Sequence, residues 1–231
     1  MGDALSIESG RLVQNETLAA SLSDLLEGVT LIALDWNGTT VNDLDRAMRA
    51  TNVVLARRGL PTQDLATFRE TFKLPMTSYF GDLGIVPDDI AAAGYDWNTA
   101  STGEHADLSA GIVELLAAAA SRQIPVGIIS AASAEVVLTD ARRLGIADQL
   151  AFVHGDAASK STVLRELAAV HGGRIVYCGD TEYDVTEALT AGAVAIGFGG
   201  GYRPGAALGE EGAVCVIDSF AAMAEALLTK N

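Results

Sequence analysis

Val29-Thr-Leu-Ile-Ala-Leu34, followed at once by Asp35-Trp-Asn-Gly-Thr-Thr40, is the stretch on which the reading of this chain turns. The first half is apolar almost throughout, as in a strand covered on both faces, and the second is a polar turn built around a glycine. Four similar apolar runs recur, at 124–129, 175–178, 193–198 and 213–217, with a weaker candidate at 151–154. Between them lie stretches of helical length at 133–144, 160–171, 181–191 and 219–228. Strands apolar on both faces that alternate with helices require a parallel sheet covered on each side. The predicted architecture is therefore a doubly wound parallel α/β sheet. Such sheets bind ligands in the crevice at the carboxyl ends of their strands, which directs attention to the residues just after each run.

The segment from 41 to about 103 breaks this rhythm. It shows helix-like stretches at 42–58, 64–72 and 88–93, divided by Gly59-Leu-Pro61, Leu74-Pro75 and Val86-Pro87, and no convincing strand. The expected organisation is a core domain of residues 1–40 and 105–231 carrying a small inserted helical domain of residues 41–104. A helical leader that includes 18–26 precedes the first strand.

The 231 residues are 49% apolar and 19% charged, a balance that favours a packed core over disorder. Thirty acidic residues against fifteen basic ones give a formal charge of −15, which repels nucleic acid and anionic membrane surfaces. A phosphorylated small molecule is not excluded, because a bound cation and a few donors can reverse the field inside one cleft. Cys178 and Cys215 both lie in apolar runs and read as small core hydrophobes. The first thirty residues show no secretory pattern and no run is long enough to span a bilayer, so cytoplasmic residence is the expectation.

Three polar clusters follow the predicted strands. Asp35 opens the first, where a tight turn would lift its carboxylate above the sheet edge to attack phosphorus; a plain helix cap is the alternative. Ser130 opens the second, just before a helix, where a hydroxyl and free N–H groups could cradle a phosphate; an ordinary N-cap is the alternative. Gly179-Asp-Thr-Glu-Tyr-Asp184 is the third, with carboxylates four residues apart that could face one magnesium ion or merely decorate a helix start. Lys160, one of only three lysines, opens the preceding helix and could neutralise a nucleophile and a transferring group, unless it is an ordinary surface lysine.

In order and context these clusters resemble the haloacid dehalogenase superfamily over most of residues 29–228. Leu31-Ile-Ala-Leu-Asp35 with Asn37-Gly-Thr39, then Ser130, Lys160, and Gly179-Asp180 with Asp184 look like its four motifs. Gly201-Tyr-Arg203 and Val216-Ile-Asp-Ser-Phe220 look like the phosphoglycolate-phosphatase-like branch, and the helical insertion has the position of that branch's small cap. The resemblance implies a Rossmann-like core and phosphate-ester hydrolysis through an aspartyl-phosphate on Asp35. It implies Mg²⁺ held by Asp35, the backbone carbonyl of Asn37 and Asp180, with Asp184 close by. Phosphoryl oxygens would be held by Trp36, Ser130, Ala131 and Lys160, and Arg69, Lys73 and Tyr79 are the cap candidates for contacting a small phosphorylated substrate.

One position departs from the pattern. The family's usual phosphatases carry an acid–base aspartate two residues after the nucleophile, and here that residue is Asn37, whose amide cannot shuttle a proton. Three readings accommodate it. One is a phosphatase whose leaving group departs easily or whose proton relay lies elsewhere. Another is a phosphonatase-like carbon–phosphorus hydrolase with Lys73 as Schiff base. The last is a weakly active or inactive member acting as a binding or regulatory protein.

Overall fold

The computed structural model describes residues 22–101 and 106–229. Six parallel strands form the sheet: β1 (Val29–Leu34), β4 (Val126–Ile129), β5 (Val153–His154), β6 (Arg174–Gly179), β7 (Val194–Phe198) and β8 (Cys215–Ile217). Their spatial order is β5-β4-β1-β6-β7-β8, so β1 is central and the sheet grows outward from it in both directions. Numbered within the sheet, this is the 3-2-1-4-5-6 order of the dinucleotide-binding fold, and its direction reverses beside β1. All five apolar runs beyond the first, the weak one included, supply strands of this sheet.

Alternation along β1 explains why the strand is apolar on both faces. Ile32 and Leu34 join one buried cluster with Ile128, Val176, Leu115 and Met223. Leu31 and Ala33 join the other with Ile175, Leu164 and Val185. Each face is covered by helices because the parallel connections must cross over it. One layer includes α5 (Ile112–Ser121) and α10 (Ala221–Thr229), and the other α7 (Lys160–His171), α8 (Glu182–Ala191) and α9 (Gly205–Glu211). Helix α6 (Ala134–Arg143) follows β4, capped by the Ser133 hydroxyl, which accepts from the Val136 N–H.

The insertion is helical, with α1 (Leu44–Arg57), α2 (Leu65–Thr71), α3 (Met76–Asp82) and α4 (Ile90–Ser101). Two corrections apply. Helix α3 was not anticipated, since it is short and interrupted by Gly81. Val41–Asn42 forms a short strand, β2, in the segment read as strandless, and pairs antiparallel with β3 (Asp107–Leu108). This pair carries the chain into and out of the helical unit. Residues 22–25 are helical, in keeping with the end of the expected leader; residues 18–21 and the expected boundary at 104/105 lie outside the described residues.

The helical unit has its own core, and its α1 shows why. Ala47, Ala50, Thr51, Val54 and Leu55 repeat at helical spacing and are buried, while the polar face remains outside. Around them pack Phe68, Phe72, Tyr79, Phe80 and Ala93, with one residue from the sheet side, Tyr202. The rings meet largely edge to face, Phe72 and Tyr202 at a centroid distance of 4.8 Å and 90°. Arg58 at the end of α1 ties the unit together through Asp89 at 2.6 Å and Asp96 at 3.0 Å.

Candidate active site

The turn after β1 is fixed by its own backbone. The Asp35 N–H donates to the Cys178 carbonyl at 2.9 Å, holding the turn to β6, and the Thr40 hydroxyl donates to the Asp35 carbonyl at 2.6 Å. Gly38 takes a left-handed φ of +73°, and a Cβ there would collide with the Asp180 carboxylate, so the close approach of this turn to β6 depends on glycine.

Asp35, Asp180 and Asp184 come together, with one carboxylate oxygen from each lying within 4.8 Å of the others, and all three are buried. Lys160, completely buried, lies between two of them, its Nζ 2.9 Å from Asp35 Oδ1 and 2.6 Å from Asp184 Oδ1. Burial works against the ammonium, but Asp184 and Asp35 outweigh it and hold its pKa above the ordinary lysine range. Burial raises the Asp35 carboxyl, Lys160 pulls it down and Asp184 pushes it up, leaving it at about 6. Asp180 is driven well above the usual carboxylate range, first by burial and then by its two acidic neighbours. The four side chains thus hold more buried negative charge than one ammonium offsets.

The three carboxylates are not equivalent. Asp184 accepts from Lys160 and the Tyr177 hydroxyl on one oxygen and from the Thr181 N–H and hydroxyl on the other, completing a capping box at the start of α8. Its acceptor capacity is largely used in holding Lys160 and the loop. Asp180 accepts one bond on each oxygen, from the Thr39 hydroxyl at 2.8 Å and the Tyr202 N–H at 2.7 Å. Asp35 and Asp180 therefore retain lone pairs for a cation. Hard oxygen donors and uncompensated negative charge suit a divalent ion.

Ser130, at the carboxyl end of β4, is 2% exposed, and its Oγ accepts from the Ala132 N–H at 3.1 Å. Because Ser133 caps α6, Ser130 is not the N-cap of that helix. Asp35, Asn37, Ser130, Ala131, Lys160 and Asp180 all line one cavity of about 200 Å³ between the sheet edge and the helical unit. The Trp36 indole belongs to the sheet's hydrophobic core and lies outside the cavity, so what this residue brings to the site is its backbone amide, which favours the ionised Asp35 carboxylate.

The three cap candidates lie elsewhere, and none lines the cavity. Tyr79 is fully buried in the aromatic core, its hydroxyl donating to Gln63 at 2.8 Å and its pKa pushed up to about 12, mainly by burial. Lys73 pairs with Asp82 and its side chain is 45% exposed. Arg69 donates to the Arg203 carbonyl at 3.5 Å, while Arg203 in turn pairs with Glu182 at 2.7 Å and donates to the Arg69 and Glu70 carbonyls. Short loops and an unanticipated helix rotate other residues into the cavity: Phe72, Leu74, Met76, Phe80, Trp97 and Asn98.

Sequence reasoning also missed Asp43. This buried carboxylate accepts from the Gly38 N–H, the Tyr202 hydroxyl, the Asn37 Nδ2 and Arg46, at 2.7–2.8 Å. It occupies the N-cap position of α1 yet makes no side-chain cap bond, having turned toward the Asp35 loop instead. The expected helix of 42–58 placed Asp43 within its first turn, and nothing in that pattern pointed to the turn after β1.

The sequence pattern of haloacid dehalogenase-like hydrolases matches residues 32–198, more than half of the chain. This chain belongs to that family. The fold is shared with a haloacid dehalogenase-like family hydrolase of Streptococcus pneumoniae, at 21% identity and a TM-score of 0.73, covering 83% of this chain and 94% of that one. A protein described as a predicted phosphatase, from Clostridium acetobutylicum, aligns at 16% identity and TM-score 0.77 over 87% and 99% of the two chains. Protein Tyrosine Kinase A of Mycobacterium tuberculosis aligns at 21% identity and TM-score 0.70 over 87% and 99%. At these identities the likeness shows the fold alone. No curated protein matches the sequence. In this haloacid dehalogenase-like hydrolase, Asp35, Ser130, Lys160 and Asp180 occupy the rim of the sheet that the doubly wound fold reserves for ligands.

Proposed function

We propose that this hydrolase is a magnesium-dependent phosphatase that acts on a small phosphorylated metabolite through an aspartyl-phosphate on Asp35. The observation that carries the reading is the convergence of Asp35, Ser130 and Asp180, from the ends of three parallel strands, on one cavity with Lys160. The inserted unit of residues 41–104 serves as the cap that covers the organic part of the substrate.

In the first step an Asp35 oxygen attacks phosphorus, and the bond from phosphorus to the substrate's bridging oxygen breaks with its electron pair leaving on that oxygen. In the second, water attacks the same phosphorus, the Asp35 oxygen–phosphorus bond breaks, and the carboxylate is restored as phosphate departs. The proton lost by water balances the one taken up by the departing alcohol. Ser130 and the Ala131 N–H hold phosphoryl oxygens, and Lys160 offsets charge on Asp35 and on the group in transfer. Asp35, the Asn37 carbonyl and Asp180 would hold magnesium, which would supply the remaining positive charge that lets an anion approach an anion.

Asn37 has no proton to relay, and its amide is tied to Asp43 at 2.7 Å. The reaction therefore suits a leaving group that departs with little protonation. Lys73, on the cap surface beside Asp82, lends no support to a Schiff-base mechanism for carbon–phosphorus cleavage.

A phosphate-release screen with magnesium and with EDTA tests the reading. Asp35→Asn is expected to lower release by on the order of 10⁴-fold or more, and EDTA to abolish it in the unmodified protein. Turnover that survives both treatments would overturn the mechanism. Tight binding of phosphorylated ligands by the magnesium-loaded protein, with no turnover of any, would favour a regulatory role.

A further inference from the structure

The two ends of the cavity differ in chemistry. At the sheet end are Asp35, Ser130, Lys160 and Asp180; at the cap end are Phe72, Leu74, Met76, Phe80 and Trp97, with Asn98 as the polar exception. Among the described residues that line it, the only cationic side chain is Lys160, already engaged by Asp35 and Asp184. Cations of the cap nearby in sequence are committed elsewhere, Lys73 to Asp82, Arg58 to Asp89 and Asp96, and Arg46 to Asp43 at 2.8 Å. The Trp97 indole N–H is also taken, donating to the Thr51 hydroxyl at 3.1 Å, so this ring offers the cavity its apolar surface.

Resting on the phosphatase reading above, we propose that the substrate is a phosphate monoester whose organic part is uncharged and largely apolar, with an aromatic ring as the best fit. A second anionic group, whether carboxylate or phosphate, would be drawn out of water beneath the cap with no positive partner, and burying an unpaired charge is strongly unfavourable. An apolar body instead gains from contact with aromatic and thioether side chains. Asn37 points the same way by an independent route. A ring oxygen of phenolic type leaves as a stabilised anion, and that is the departure a site without a proton-relaying residue at this position can support.

The experiment compares phenyl phosphate with 4-carboxyphenyl phosphate, esters of similar shape that differ by one charge, on the magnesium-loaded protein. Phenyl phosphate is expected to be preferred by at least about ten-fold in kcat/KM. Met76→Lys and Asn98→Lys each place a cation on the cap wall, and each is expected to reduce that preference by about five-fold or more; Asn98 is exposed, so at least that variant keeps the fold. In parallel, calorimetry on the magnesium-loaded protein compares phenylphosphonate with 4-carboxyphenylphosphonate, neither of which has an ester bond to hydrolyse, and tighter binding of the ligand without the carboxylate is expected. Equal or better use of the carboxylated ester, or equal or tighter binding of its phosphonate, or binding of neither phosphonate, would overturn the inference. Preferential binding of phenylphosphonate without turnover of any ester would sink the phosphatase reading and leave only the cavity's preference for an apolar, uncharged organic part.

Discussion

The sheet rim and the cap face each other across one cavity, yet they are built on opposite principles. At the rim, Asp35, Lys160, Asp180 and Asp184 are buried charges that hold one another in place. Across the gap the cap presents rings and aliphatic chains, and its charges are paired away from the cavity, as Arg58 is with Asp89. The difference teaches that the reacting phosphoryl group and the rest of the substrate are handled by separate parts of the chain. The rim must keep charges at fixed positions in a dry setting, which requires a rigid sheet and many hydrogen bonds. The cap need only match the shape and polarity of what it covers.

Lys160→Met breaks the rim side of this comparison and carries the largest expected effect. Removing the ammonium leaves Asp35 and Asp184 buried without their cation, and loss of about 3–5 kcal/mol of unfolding free energy is expected by denaturant titration. If the stability is unchanged, the carboxylates are satisfied without Lys160 and the rim is not held together by charge.

Tyr202 belongs to both sides at once. Its N–H fixes Asp180, its hydroxyl donates to Asp43, and its ring packs against Phe68 and Phe72 of the cap. Tyr202→Phe keeps the ring and the backbone bond and removes only the hydroxyl, so a loss of about 1–2 kcal/mol is expected in the same titration. Tyr202→Leu, which also removes the aromatic contacts, is expected to cost more, and the gap between the two variants measures what the cap contributes to this link.

The smallest effect lies wholly within the cap. The hydrogen bond from Arg58, aided by Arg57, holds the Asp96 carboxyl below the usual carboxylate range. A depressed pKa contributes stability that is present above the unfolded value of about 3.9 and lost as pH falls through the folded one. Asp96→Asn is therefore expected to lower stability near neutrality and to narrow the gap to the parent as pH falls below about 4. A gap that is constant over this range would mean the pair adds nothing through charge.

Local pattern reached far on the sheet side. The strand that ends at Leu34 is buried on both faces because helices cover both, and the same rule found the strands that end at Ile129, Gly179, Phe198 and Ile217. The residues following them, Asp35, Ser130 and Asp180, then fell at one rim because parallel strands all point the same way. On the cap side the reach was shorter. Arg69, Lys73 and Tyr79 were polar residues in a helical insertion, and nothing in their spacing said that Tyr79 would pack inward or that Lys73 would face Asp82. Asp184 shows the same limit at the rim itself, for its place in the motif was legible while its use as a four-donor anchor for Lys160 and Thr181 was not.

The sequence by itself determined the doubly wound class, its strands and the residues that stand at their carboxyl ends, because those follow from burial on two faces and from chain direction, both of which are written locally. Only the tertiary structure decided that Asp43 would turn from its helix to hold Asn37 and Gly38, that Tyr202 would join the cap's core, and that the cap would offer the cavity rings rather than cations. Those outcomes depend on which distant segments meet, and a contact between residues 43 and 202 has no signature in the neighbours of either one.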